Sequence, residues 1–117
     1  SNESEPVFGK PTPPSSISAN TELVGAIRTP DALEVHGKVD GDVFASTITV
    51  CTGGRIKGDL SAETIVVRGT VEGHICARDV RLCAGSNVKG EISAASLGID
   101  TAAIFEGMIK RVEPSEG

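Results

Sequence analysis

The sequence predicts an all-β fold, a single-stranded parallel β-helix (β-solenoid) of about six coils with disordered termini. Three observations carry that expectation. Val and Ile together number 22 among 117 residues, against 5 Leu, and β-branched chains suit pleated strands while losing rotamer freedom in helices. The pattern Φ-x-Gly-x-Φ, where Φ is apolar, recurs six times at glycine steps of 16, 17, 15, 17 and 17 residues. A second pattern, Φ-x-Φ, follows in phase with the first.

The elements follow in chain order. Residues 1–16 hold Pro6, Pro11, Pro13 and Pro14 among Ser and Glu, and read as a disordered, Pro-rich arm. Leu23-Val24-Gly25-Ala26-Ile27 opens the repeat. Val39-Asp40-Gly41-Asp42-Val43, Ile56-Lys57-Gly58-Asp59-Leu60, Val71-Glu72-Gly73-His74-Ile75 and Val88-Lys89-Gly90-Glu91-Ile92 continue it, and Phe105-Glu106-Gly107-Met108-Ile109 closes it. Between them stand Leu33/Val35, Ile48/Val50, Ile65/Val67, Val80/Leu82 and Leu97/Ile99. The local alternation is two, not 3.6, so each motif is a strand. A period of about 16 residues is too short to fold alone, and stacking the periods pairs every strand with its counterpart one coil away. The β-helix domain is expected over residues 17–112. Residues 113–117 read as a disordered tail.

Stacking turns sequence positions into columns. The residues just before each glycine, Asp40, Lys57, Glu72, Lys89 and Glu106, alternate in sign along one outer column. Opposite charges one strand spacing apart attract, at about 0.2–1 kcal/mol per pair. The glycines Gly25, Gly41, Gly58, Gly73, Gly90 and Gly107 form a column of their own. An unusual backbone angle or a lack of room for a side chain would each explain it, and crowding on the inner side of a narrow coil is the favoured reading. A narrow core also fits the absence of Trp and Tyr.

Composition excludes several functions. The net charge is −5 and only three aromatic residues occur, so the basic patches and stacking platforms of nucleic-acid binders are missing. No run of 18 apolar residues is present, and no secretory signal is visible. The chain opens at Ser1-Asn2 rather than Met, which points to a trimmed start. Cys51, Cys76 and Cys83 lack CxxC spacing and fit free thiols in a reducing compartment. Cys51 and Cys83 share a column with Arg68 between them. Two coils, about 9.6 Å, separate the two thiols, too far for a disulfide.

Enzymatic β-helices repeat near eighteen residues and place histidines between coils. Here the period is shorter and His36 and His74 are the only histidines, so an open three-histidine zinc site within one chain is not available. His74 and Cys76 would be the residues to consider for a metal. His74 reads instead as a surface residue in the column of Asp42, Asp59 and Glu91. Thr52-Gly53-Gly54 and Ala84-Gly85-Ser86 are turns, since no Gly-Lys-Ser/Thr follows them. No catalytic residue, cofactor or metal ligand is assigned, and the chain is expected not to be an enzyme.

The motif series Val39-Asp40-Gly41-Asp42-Val43, Val67-Arg68-Gly69-Thr70-Val71-Glu72-Gly73-His74-Ile75, Val80-Arg81-Leu82-Cys83-Ala84, Val88-Lys89-Gly90-Glu91-Ile92 and Phe105-Glu106-Gly107 resembles the bactofilins, over residues 17–109. The order of short turns (Val35-His36-Gly37, Val67-Arg68-Gly69) and long ones (Thr52-Gly53-Gly54, Ala84-Gly85-Ser86) fits as well. The resemblance implies a right-handed, triangular β-helix that polymerises without nucleotide into non-polar filaments. It further implies a cytoskeletal role in cell shape or envelope organisation, with envelope or morphogenesis proteins as partners. The implied location is the cytoplasm, at the inner face of the cytoplasmic membrane. Val7-Phe8-Gly9-Lys10 resembles the family's membrane-binding peptide, although one apolar pair with one lysine gives little membrane affinity.

The ends supply a functional argument of their own. Soluble solenoids need polar caps, because an open coil exposes apolar core and unpaired strand groups. No amphipathic helix is evident before Leu23 or after Ile109. An end-to-end homopolymer contact is therefore expected at Leu23, Val24, Ile27, Phe105, Met108 and Ile109. The alternatives are a monomeric or oligomeric solenoid that binds a partner through one face, and a trimeric transferase-type β-helix enzyme.

Overall fold

A computed structural model describes residues 14–113. Residues 1–13 and 114–117, which include most of the expected arm and tail and the segment Val7–Lys10, lie outside the described residues. Twelve strands and no helix occur among the described residues. They are β1 (Ser15–Ile17), β2 (Glu22–Val24), β3 (Ile27–Arg28), β4 (Ala32–Val35), β5 (Lys38–Asp40), β6 (Val43–Phe44), β7 (Thr47–Val50), β8 (Arg55–Lys57), β9 (Leu60–Val67), β10 (Thr70–Leu82), β11 (Asn87–Ile99) and β12 (Ile104–Arg111).

Every strand pair is parallel and joins equivalent positions of successive coils, giving a β-solenoid of about six turns. Val71 pairs with Ile56 on one side and Val88 on the other, and Ile75 with Leu60 and Ile92. β10 and β11 are long because pairing runs through their corners, from Thr70↔Asn87 to Leu82↔Ile99, and skips only Arg78 and Ala95.

The two-residue difference between the 15- and 17-residue glycine steps has a local cause. Two coils turn tightly, Val35 to Lys38 and Val67 to Thr70, while others take two more residues, Val50 to Arg55 and Leu82 to Asn87. In the long turns the Gly54 N–H donates to the Cys51 carbonyl at 2.8 Å, and the Ser86 N–H to the Cys83 carbonyl at 3.1 Å. The extra residues fold into the turn, so strand register survives on either side.

The core consists of columns of Val, Ile and Leu. Ile48, Ile56, Leu60, Ile65, Ile75, Leu82 and Ile92 are fully buried, and no aromatic residue is among them. Each such burial contributes about 1.5–3 kcal/mol. Phe44 faces outward in register with Arg28, whose guanidinium stacks 4.4 Å above the ring centroid.

The first coil starts earlier than expected. Ser15–Ile17 is already a strand, paired with Leu33–Val35, so the solenoid begins at Ser15 rather than at 17. Ser15 and Ser16 are exposed and only Ile17 is buried. A strand with one apolar residue shows no alternation to read.

Candidate functional site

The inward columns run the length of the solenoid, and at the C-terminal coil they end in partly exposed residues. Leu23, Val39, Ile56, Val71, Val88 and Phe105 form one column. Ile27, Val43, Leu60, Ile75, Ile92 and Ile109 form a second. A third passes from Ile17 through Val35, Val50, Val67 and Leu82 to Ile99. Interior members are buried, but in the last coil Ile109 is 47% and Ile99 44% exposed. Phe105 is half-buried and packs against the core, as do Leu23 and Ile27 at the opposite end.

The same ends carry unpaired strand edges. β12 pairs only with β11, while β1, β2 and β3 each have one partner, β4, β5 and β6. Among the described residues, each end is an open row of backbone donors and acceptors beside an apolar centre, which is a template for another strand.

The expected interface residues divide into two classes. Leu23, Ile27, Phe105 and Ile109 belong to inward columns and form the end faces. Val24 and Met108 do not: Val24 is in register with Asp40, and Met108 with Glu91. Both therefore project sideways, as rim residues, at 84% and 62% exposure. Ile99 and Leu97 belong to the C-terminal face and Ile104 to its rim, none of them anticipated. Leu97/Ile99 is the last Φ-x-Φ motif, so its place on the final coil was a readable signal.

The outer charge column has the expected register: Asp40↔Lys57, Lys57↔Glu72, Glu72↔Lys89 and Lys89↔Glu106. Among the described residues no ammonium nitrogen and carboxylate oxygen of these five lie within 4.0 Å of each other. Glu72 instead pairs with Arg55, at 3.3 Å. The neighbouring column is tied through backbone contacts. The Asp59 N–H donates to Asp42 Oδ1 at 3.1 Å, and the His74 N–H to Asp59 Oδ1 at 3.2 Å.

The glycine column requires both properties that sequence reasoning held apart. At Gly58 φ is +152°, and a Cβ there would collide with the backbone carbonyl of Gly41 in the coil before it. The crowding is thus between stacked backbones, along the axis, not against core side chains. Gly25, with no coil beneath it among the described residues, has φ +129° but open space where a Cβ would sit.

His74 Nε2 lies 3.0 Å from Ser93 Oγ and 3.8 Å from Glu91 Oε2. Cys51, Cys76 and Cys83 are free thiols, with Cys76 exposed. Burial, and secondarily the Glu34 carboxylate, push the Cys51 thiol up.

Known proteins resemble the chain along most of this length. The family model described as Bactofilin, polymer-forming cytoskeletal, matches residues 15–110. Among solved structures, the cytoskeletal bactofilin BacA, determined by solid-state NMR, is 34% identical with a TM-score of 0.78, covering 86% of this chain and 97% of that one. The Thermus thermophilus bactofilin, seen by cryo-EM in double helical filaments, has the same fold, with a TM-score of 0.77 at 23% identity, covering 84% of this chain and 99% of the other. A search of curated proteins finds no match.

Proposed function

The chain belongs to the bactofilin family, polymer-forming and cytoskeletal, and from that premise we propose that it assembles end to end, without nucleotide, into filaments that scaffold cell shape or envelope-associated proteins. The observation that carries this reading is the exposed apolar centre of the last coil, Phe105, Ile109 and Ile99, framed by the unpaired edge of β12. Joining two ends would hide this surface and pair the open strand groups together. The role is structural rather than catalytic, and the sequence holds no Gly-Lys-Ser/Thr phosphate loop. The place of action is the cytoplasm, at the inner face of the cytoplasmic membrane. Three free thiols suit that compartment.

The test is sedimentation and electron microscopy of the purified chain in nucleotide-free buffer. Pelletable filaments are expected, unchanged by added nucleotide. Monodisperse single solenoids would favour a binding module instead, and a closed trimer would favour a transferase-type enzyme.

A further inference from the structure

Three ligand-bearing side chains meet on the outer face near the N-terminal end. Glu34 and His36 alternate with the inward Leu33 and Val35, so both face outward from the same coil. The Cys51 N–H donates to the Val35 carbonyl at 2.9 Å, and that bond stacks Cys51 beside His36 one coil further on. His36 Nε2 lies 3.5 Å from Glu34 Oε1. A carboxylate oxygen, an imidazole nitrogen and the thiol sulfur lie within 4.8 Å of one another, and all three residues are half-buried.

This convergence is particular to one junction. The equivalent positions of the following junctions hold Thr49, Cys51 and Arg68, then Val66, Arg68 and Cys83, then Arg81, Cys83 and Asp100. None repeats a set of three metal-binding donors. The paired backbones hold the donors on two adjacent coils, so their separation is set by strand spacing.

We propose that Glu34, His36 and Cys51 bind a divalent cation of the Zn2+ class, clamping two successive coils. Mixed sulfur, nitrogen and oxygen donors suit Zn2+, Co2+ or Cd2+ and not Mg2+ or Ca2+. Three protein ligands leave a fourth tetrahedral position for water. On binding, the Cys51 thiol gives up its proton to solvent and its sulfur takes the metal, while His36 binds as the neutral imidazole. The thiolate and the Glu34 carboxylate supply two negative charges against the dication. Arg68, next in the column beyond Cys51, adds one positive charge, which keeps the site weaker than a closed four-ligand centre. The half-buried His74 and the exposed Cys76 are no part of it.

The experiment is a Co2+ titration of the full chain after treatment with a chelator, read by the near-ultraviolet thiolate-to-cobalt absorption. A saturable band at one equivalent is expected, bleached by Zn2+. Cys51→Ser should abolish it, while Cys76→Ser and Cys83→Ser keep it. His36→Ala and Glu34→Ala should each weaken Co2+ binding by at least about tenfold, the loss that even an outer-shell partner can cause. As a second readout, Zn2+ should raise the thermal midpoint of the parent chain and of Cys76→Ser but not of Cys51→Ser. No band in the parent chain, a band that persists in Cys51→Ser, or unchanged affinity in both His36→Ala and Glu34→Ala would overturn the site.

Discussion

Glu72 forms its ion pair with Arg55, at 3.3 Å, although Lys57 is its partner in register. The charge that answers Glu72 comes from a diagonal neighbour one column away. Both side chains are partly exposed, at 53% and 35%, so the pair contributes about 0–1 kcal/mol. The alternating column therefore acts mainly by keeping like charges from adjacent coils.

Lys57→Glu tests that role. It sets an acid between Asp40 and Glu72, its two register partners. Stability should fall by about 1 kcal/mol at low salt, and added salt should recover part of the loss. Equal melting midpoints for Lys57→Glu and the parent chain at low salt would show that the column does nothing.

Gly58→Ala and Gly25→Ala form a matched pair. At Gly58 even a methyl group meets the Gly41 backbone and a φ of +152°, so strain and overpacking together should cost about 2–5 kcal/mol. At Gly25 the φ is +129° with open space, and only the strain applies, about 1–3 kcal/mol. Denaturant midpoints should rank Gly58→Ala well below Gly25→Ala. The reverse order would mean that coil-to-coil crowding is not what selects glycine.

The thiols should differ in reactivity. Burial, then the Glu34 carboxylate, raise the Cys51 pKa, whereas Cys76 is exposed. With chelator present, alkylation near neutral pH should label Cys76 before Cys51, and all three thiols should react after unfolding. Because the folded-state pKa is the higher one, Cys51 contributes stability below the unfolded thiol pKa. That contribution is lost as pH rises through the folded value. Faster labelling of Cys51 than of Cys76, or a Cys51–Cys83 bridge within one chain, would contradict this environment.

Much of the fold was legible because a solenoid converts sequence period directly into contact. Once the glycines were aligned, pairs such as Val71↔Val88 and Lys57↔Glu72 followed by counting. What escaped has identifiable physical reasons. Ser15 and Ser16 pair through backbone groups that any residue supplies, so the first strand left no apolar trace. Val24 and Met108 read as end-face residues in the sequence because terminal apolar residues look alike in one dimension. Their neighbours Asp40 and Glu91 reveal that they face sideways. Arg55 lies two residues before Lys57, outside the column being read, so the diagonal ion pair needed side-chain reach as well as register. The meeting of Glu34 and His36 with Cys51 was within range of the column arithmetic, which had placed Cys51 among Arg68 and Cys83 without extending back to His36.

The most direct test of the end-to-end account is electron microscopy of Phe105→Arg beside the parent chain. Phe105 is half-buried on the last coil, in register with Val88 and without a coil beyond it among the described residues. An arginine there would be buried and unpaired in a filament joint, at several kcal/mol per contact by order of magnitude, but can reach water in a free solenoid. The account predicts single particles in place of filaments, with the β-rich circular dichroism spectrum and most of the thermal stability kept. Filaments that persist with Arg at 105 would contradict a joint at the C-terminal face. Loss of the fold itself would mean that Phe105 only plugs the core of one molecule.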